Sequence, residues 1–395
     1  MSDERIIQPI SNVELERRWA SVRAMMERDG LDAIVLQNTS DWVGGYVKWF
    51  TDLPAANGYP RTVIFHRNAP MTVVEMGPFN GRRELAGKDP IHRGVGTVLN
   101  SPSFVSIVYT LGYDAKLAVD ELASRNYRRI GCINMGALPH SLVSAMQERL
   151  TNVQLVDCTD AIDTIKAVKS PEEIDLLYRC AHLQDAVFAQ VLGMIRPGLR
   201  DIDVTAFIQA ECMKLGSEQG IQLGHSAPLG VRSGFIGRHF QGRTMQAGDH
   251  LSLLIEVNGP GGFYTEIART IVLGKATQQL KDAFASVKAA QDYNLSLMKP
   301  GTPCAEIAAK HDAWMVAHGL PPEIRLYSHG QGYDMVERPL IRADETMSLA
   351  EGMCLAVHPG YETAELFGVI CDNYMIEAAG PSACMHRTEK RIFEV

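Results

Sequence analysis

The stretch GDHLSLLIEVNGPGGFYTEIARTIVLG, residues 248–274, decides how this chain is read. Two runs of strand-forming residues flank the turn Asn258-Gly-Pro-Gly-Gly262, which predicts a β-hairpin. Each run carries one carboxylate, Glu256 and Glu266, among apolar or neutral neighbours. A carboxylate placed in such surroundings needs a partner or a task. The active site is therefore expected around this hairpin.

Outward from the hairpin, the remainder falls into two parts. Upstream, Val13, Leu15, Trp19, Val22, Met25 and Met26 repeat at helical spacing over 12–29 and stop at Asp29-Gly30. Strands are expected at 32–36, 61–65 and 71–75, the last two as a hairpin, then at 130–134 and 153–158, with helices at 116–126 and 140–150. This alternation predicts a mixed-sheet α/β domain over 1–165. Ser170-Pro-Glu-Glu173 is a capping box with proline at the first helical position, and it opens a second domain, 166–395. Within that domain Arg196-Pro-Gly198 and Lys299-Pro-Gly301 each follow a long helix. Each precedes a second helix that ends at a glycine, Gly216 and Gly319. The matched spacing predicts a duplicated, pseudo-twofold unit with a ligand groove between its halves. The whole is of α+β class.

Composition excludes several functions. A net charge of -8 without a basic block argues against a nucleic-acid partner. No apolar run reaches the ~18 residues of a membrane span, and the N-terminus lacks a signal-peptide pattern. The eight cysteines form no CxxC pair, which suits reduced thiols in the cytoplasm.

Four segments carry candidate chemistry: Gly237-Arg-His239-Phe240; the hairpin; Tyr327-Ser-His329-Gly-Gln-Gly-Tyr-Asp-Met-Val-Glu337-Arg338-Pro339; and Glu351 to Gly360, containing His358, followed by Phe367 to Asn373. Their order resembles the creatinase/aminopeptidase P/methionine aminopeptidase family, the pita-bread fold, over residues 165–395. The match lies in Gly248-Asp249, Thr265-Glu-Ile-Ala-Arg-Thr270, His329-Gly-Gln-Gly332 and His358-Pro-Gly360. The resemblance implies that these segments converge on one site.

The departures alter the expected chemistry. The family's metal-binding Asp positions fall on Leu254 and Glu266, its first metal Glu on His358 and its last on Cys371; His329 alone is kept. The resemblance is thus to the metal-free branch, which includes creatinase, and no metal or other cofactor is expected. The wording of residues 37–61, including Trp49, Phe50 and Arg61, together with glutamate at the second Asp position, looks most like ectoine hydrolases. That likeness implies a small zwitterionic cyclic amidine as substrate, opened to an N-acetyl-diaminobutyrate. Glu266 is then nucleophile or general base, with Glu256 beside it. His329 or His239 protonates the departing nitrogen, while His358 and Glu337 contact substrate. Arg338 or Arg61 holds its carboxylate, and Tyr264, Trp49 and Phe50 wall its ring. The loop 42–60 is expected to reach a partner subunit in a homodimer. The alternatives are a creatinase-like amidinohydrolase, a metal-dependent Xaa-Pro peptidase, a single zinc or iron held by Glu256, Glu266, His329, His358 and Cys371, and a non-catalytic binding protein.

Overall fold

The computed structural model describes residues 9–38, 45–53 and 59–395. It divides into two compact units, Pro9–Lys166 and Ala167–Val395. Parts of the 42–60 loop, residues 42–44 and 54–58, lie outside the described residues.

The N-terminal unit is built on a seven-stranded mixed sheet. Its elements are α1 (Asn12–Arg28), β1 (Ala33–Asn38), α2 (Tyr46–Thr51), β2 (Arg61–His66), β3 (Met71–Met76), β4 (Arg82–Glu84), β5 (Val95–Ser101), α3 (Leu111–Ala123), β6 (Arg129–Cys132), α4 (His140–Arg149), β7 (Gln154–Asp157) and α5 (Thr159–Ala167). The strand order is β4-β5-β3-β2-β1-β6-β7. Its centre is a run of Val, Ile and Leu positions buried on both faces, as a central strand requires.

The second unit repeats one motif. Helices α6 (Pro171–Met194) and α7 (Asp201–Lys214) precede β8 (Gly220–Pro228), β9 (Asp249–Asn258) and β10 (Tyr264–Val272). Helices α8 (Gln278–Leu297) and α9 (Cys304–Ala317) precede β11 (Ser328–Gly330), β12 (Glu337–Leu340), β13 (Cys354–Val357), β14 (Gly360–Glu362), β15 (Phe367–Val369), β16 (Asp372–Glu377), β17 (Gly380–Pro381) and β18 (Phe393–Glu394). The sheets run β18-β10-β9-β8 and β12-β11-β13-β16-β17, with β14 paired to β15. The capping box at Ser170 and Glu173 forms as the sequence implies.

The two-residue period of a strand sorts each sheet into a helix face and an inner face. On β9, Leu251, Leu253, Ile255 and Val257 pack with Val187, Phe188, Val191, Val204 and Ile208 of α6 and α7. Glu256 therefore points to the other side. In the second half, Leu355, Val357, Tyr374 and Ile376 pack with Ile307 and Ala308 of α9. Asn373 and Ala356 are consequently turned away from the helices, and His329 pairs with Ala356. An isolated bridge between Ala268 and Cys371 joins the inner faces. Beside it Arg269 and Asp372 form an ion pair at 2.6 Å with neither side chain exposed.

Among the described residues no helix is long and apolar enough to cross a membrane. The buried pair makes a direct test of how the second unit is held. Arg269→Met leaves Asp372 with only the more distant Lys390, 3.9 Å away, and urea unfolding should show a loss of about 3 kcal/mol. Unchanged stability would mean the pair is dispensable.

Candidate active site

The hairpin register sets Glu256 directly opposite Glu266, with Leu254 opposite Ala268. Counting from Gly248-Asp249 places the first acidic position on Leu254. The structure instead puts Leu254 in an apolar cluster with Ala268, Phe367, Val369 and Cys371. Glu256 is the residue that faces Glu266, and both carboxyls are buried. Gln184 of α6 fixes this register: its side-chain amide donates to the carbonyls of Val257 and Thr265, the adjoining cross-strand pair.

Two imidazoles complete the cluster. His329 Nε2 lies 3.6 Å and His358 Nε2 3.4 Å from Glu266 Oε1, with the ring centroids 5.1 Å apart. The glycines after His329 are there for space. A Cβ on Gly330 would sit 2.6 Å from the Arg338 carbonyl, and one on Gly332 the same distance from the Glu337 carboxylate. His329 Nδ1 lies 3.0 Å from the Gly330 carbonyl. That carbonyl accepts from Nδ1, which leaves Nε2 as the nitrogen that faces Glu266.

The electrostatics follow from burial. Glu256 is pushed well above the ordinary carboxyl range, first by desolvation and then by the charge of Glu266; a donor from Gln331 pulls the other way. Glu266 is raised by burial, opposed by His329 and by a hydrogen bond from Glu256. Facing carboxyls in one dry site share a proton, and the pair titrates as a unit. Burial, then His329 and Arg325, hold His358 well below the usual imidazole range, so its ring is neutral. Glu266 Oε1 and His358 Nε2 are buried with no hydrogen-bond partner. The result is a knot of acceptors suited to a group that brings donors or positive charge.

The remaining expected site residues are distributed as follows. Tyr264 is fully buried two residues before Glu266, on the same strand face. His239 is exposed on the short 3-10 turn Arg238–Phe240 and is not one of the three clustered donors, so its service as the acid stays a proposal beside His329. Arg338 is engaged by Glu345, Glu337 by Lys169, and Arg61 by Glu75 at 2.9 Å. Trp49 and Phe50 belong to the interior of the N-terminal unit, where they pack edge-on against each other and Phe50 against Phe65. Their rings have no free face for a substrate, which corrects the expected wall. Cys371 is a buried thiol donating to the Glu266 carbonyl at 3.6 Å, with its pKa driven up by burial and by Glu266.

The sequence reading missed three residues. Asn373 Oδ1 accepts the Glu266 backbone N–H at 2.8 Å, and its amide donates to Gln331 Oε1 at 2.7 Å. Gln331 then donates to Glu256 Oε1 at 3.0 Å. Arg325 donates to the His358 carbonyl at 3.3 Å while Glu323 grips its guanidinium. Neither amide follows a spacing rule; their only signal is polarity at positions that strand period turns inward.

The comparisons agree with this geometry. A family model, metallopeptidase family M24, matches residues 175–378, more than half of the chain, and the chain belongs to that family. A hydrolase/peptidase designated y4tL from Sinorhizobium fredii is 26% identical over 94% of this chain and 95% of its own. A creatinase from a Bacillus species is 23% identical over 90% and 85%. An Xaa-Pro dipeptidase from Pyrococcus furiosus is 23% identical over 65% and 74%. Among solved structures, a prolidase from Thermococcus sibiricus superposes with TM-score 0.78 at 16% identity, covering 98% of this chain and all of that one. An X-Pro aminopeptidase from Thermotoga maritima gives 0.77 at 16% identity, over 95% and 99%. The architecture is the pita-bread fold with its N-terminal domain.

The family name implies metal, and the donor set tests it. A two-ion centre needs several bridging carboxylates. Here Leu254 and Cys371, where the resemblance expects carboxylates, sit in an apolar cluster, so the carboxylates that two ions need are not present. One ion does: Glu266, His329 and His358 offer donor atoms within 4.8 Å of one another, a two-histidine, one-carboxylate set.

The protonated Glu256 sets a pH signature. With its folded pKa raised, it stabilises the fold fully below the unfolded carboxyl value of 4.5 and loses that contribution as pH rises. Glu256→Gln keeps the neutral amide-like shape without the ionisation. Urea midpoints across pH 4–9 should therefore show the variant gaining on the wild type as pH rises; parallel curves would contradict the shared proton.

Proposed function

We propose that this hydrolase cleaves a C–N bond of a small, positively charged amidine, with ectoine as the substrate and N-acetyl-2,4-diaminobutyrate as the product. The observation that carries the reading is the buried knot of acceptors around Glu266 Oε1 and His358 Nε2. An amidinium supplies the N–H donors and the charge that this knot lacks. Its carbon is already electrophilic.

Ionised Glu266 takes a proton from water as the water oxygen bonds to the amidine carbon. Glu256, carrying the shared proton, donates to Glu266 and keeps the pair at one negative charge. The proton gained by Glu266 passes through His329 Nε2, 3.6 Å away, to the departing ring nitrogen. The C–N bond breaks, and one water has been added overall. Arg325, which donates to the His358 carbonyl at 3.3 Å and is gripped by Glu323, is the cation assigned to the substrate carboxylate because it lies beside His358. The creatinase among the relatives supports a substrate of this charge type.

A second reading has its own observation. Glu266, His329 and His358 would hold one divalent ion, and relatives named Xaa-Pro dipeptidases support a peptide substrate. An ion there supplies Lewis acidity and a water of lowered pKa.

Incubation with ectoine, hydroxyectoine and creatine, followed by proton NMR, tests the first reading, which expects an acetylated ring-opened product that persists after chelation. Turnover of Xaa-Pro dipeptides that chelator abolishes would establish the second. Glu266→Gln should lower kcat by ~10²–10⁴-fold; full turnover by this variant would exclude the assigned role.

A further inference from the structure

Three hydrogen bonds lead from one strand of the active-site hairpin to the carboxyl on the other. Their direction is fixed at the start. The Glu266 backbone N–H can only donate, so the Asn373 oxygen at 2.8 Å is Oδ1. The other end of the Asn373 amide is then a donor, and it meets Gln331 Oε1 at 2.7 Å. The Gln331 amide is likewise oriented, with Nε2 donating to Glu256 Oε1 at 3.0 Å. Side-chain amides are usually free to be placed either way round; here a backbone group removes that freedom twice over. All four side chains are buried, with Gln331 and Asn373 at 0% exposure. His386 Nε2, 3.4 Å from Asn373 Oδ1, backs the relay from behind.

We infer that Gln331 and Asn373 are positioning residues: the relay commits Glu256 Oε1 to accepting and so turns its other oxygen, as the donor, toward Glu266. The inference deepens the function proposed above and rests on it for its kinetic readout only. The relay assigns the two carboxyls different roles although they stand at equivalent cross-strand positions. Glu256 Oε1 is held by the relay, and Glu266 Oε1 faces His329 and His358. Nothing in the hairpin itself makes that distinction; it comes from β11 and β16 of the other half of the unit. Neither amide touches the substrate in this account.

Asn373→Asp tests it when assayed at a pH high enough to ionise residue 373, where the isosteric replacement only accepts. Gln331 must then reverse to donate to residue 373, which presents its oxygen to Glu256. The expected result is a kcat for ectoine lowered by at least tenfold with KM within about twofold of wild type and an unchanged melting temperature. Asn373→Ser serves as a second variant should the aspartate fail to fold. A hydroxyl that accepts from the Glu266 N–H and donates onward keeps the direction of the relay, so part of the rate should return. A readout without substrate uses protein labelled with ¹⁵N-glutamine. The Gln331 side-chain amide signal, identified by its loss in Gln331→Glu, should shift in Asn373→Asp and in Glu256→Leu. An unmoved signal in both variants overturns the inference whatever the substrate proves to be. Unchanged kcat in Asn373→Asp, with wild-type turnover established, overturns it equally. Absence of wild-type ectoine turnover alongside a shifted signal leaves the relay standing and removes only the proposed substrate.

Discussion

Two carboxyl groups facing each other across an antiparallel hairpin, both out of water, cannot both be ionised. That constraint at Glu256 and Glu266 organises the site. One proton must stay between them, and every neighbouring group is consistent with its presence. Gln331 offers a neutral donor to one carboxyl, and the imidazoles of His329 and His358 face the other. A site so arranged is rich in acceptors and suits a ligand that is positively charged or rich in donors.

The pair is kept in place by the duplication of the unit. Each half contributes a sheet with one face against its own helices and one face inward. The first half supplies the carboxyls and the second supplies both histidines and the amide relay. The Ala268–Cys371 bridge and the Arg269–Asp372 pair tie β10 to the start of β16. Close approach is permitted by glycine at 330 and 332, where any side chain would meet backbone or carboxylate. The fold is thus that of metallopeptidase family M24, and at its centre one carboxylate and two imidazoles offer donor atoms within 4.8 Å of one another.

Much of this was legible in the sequence. Two runs of strand-forming residues around a glycine-rich turn marked the hairpin, the Pro-Gly intervals marked the duplication, and the wording around Thr265–Thr270 and His329–Gly332 pointed to Glu266 and His329. Glu256 was harder, since counting along the strand favours Leu254; only the cross-strand register shows which residue faces Glu266. Long-range polar partners were not legible at all. Asn373 is 107 residues from the backbone group it receives, and no local pattern marks such a pairing. The aromatic pair Trp49-Phe50 misled because a large apolar ring reads the same whether it lines a pocket or fills a core.

The account stands or falls on what occupies the space between Glu266, His329 and His358. The most direct measurement is a crystal structure of the protein soaked with ectoine, with anomalous data collected at the zinc and iron edges. The account predicts a planar amidine with its nitrogens within hydrogen-bond distance of Glu266 Oε1 and His358 Nε2, and no anomalous peak between the three side chains. A metal peak at that point, coordinated by Glu266, His329 and His358, would contradict it.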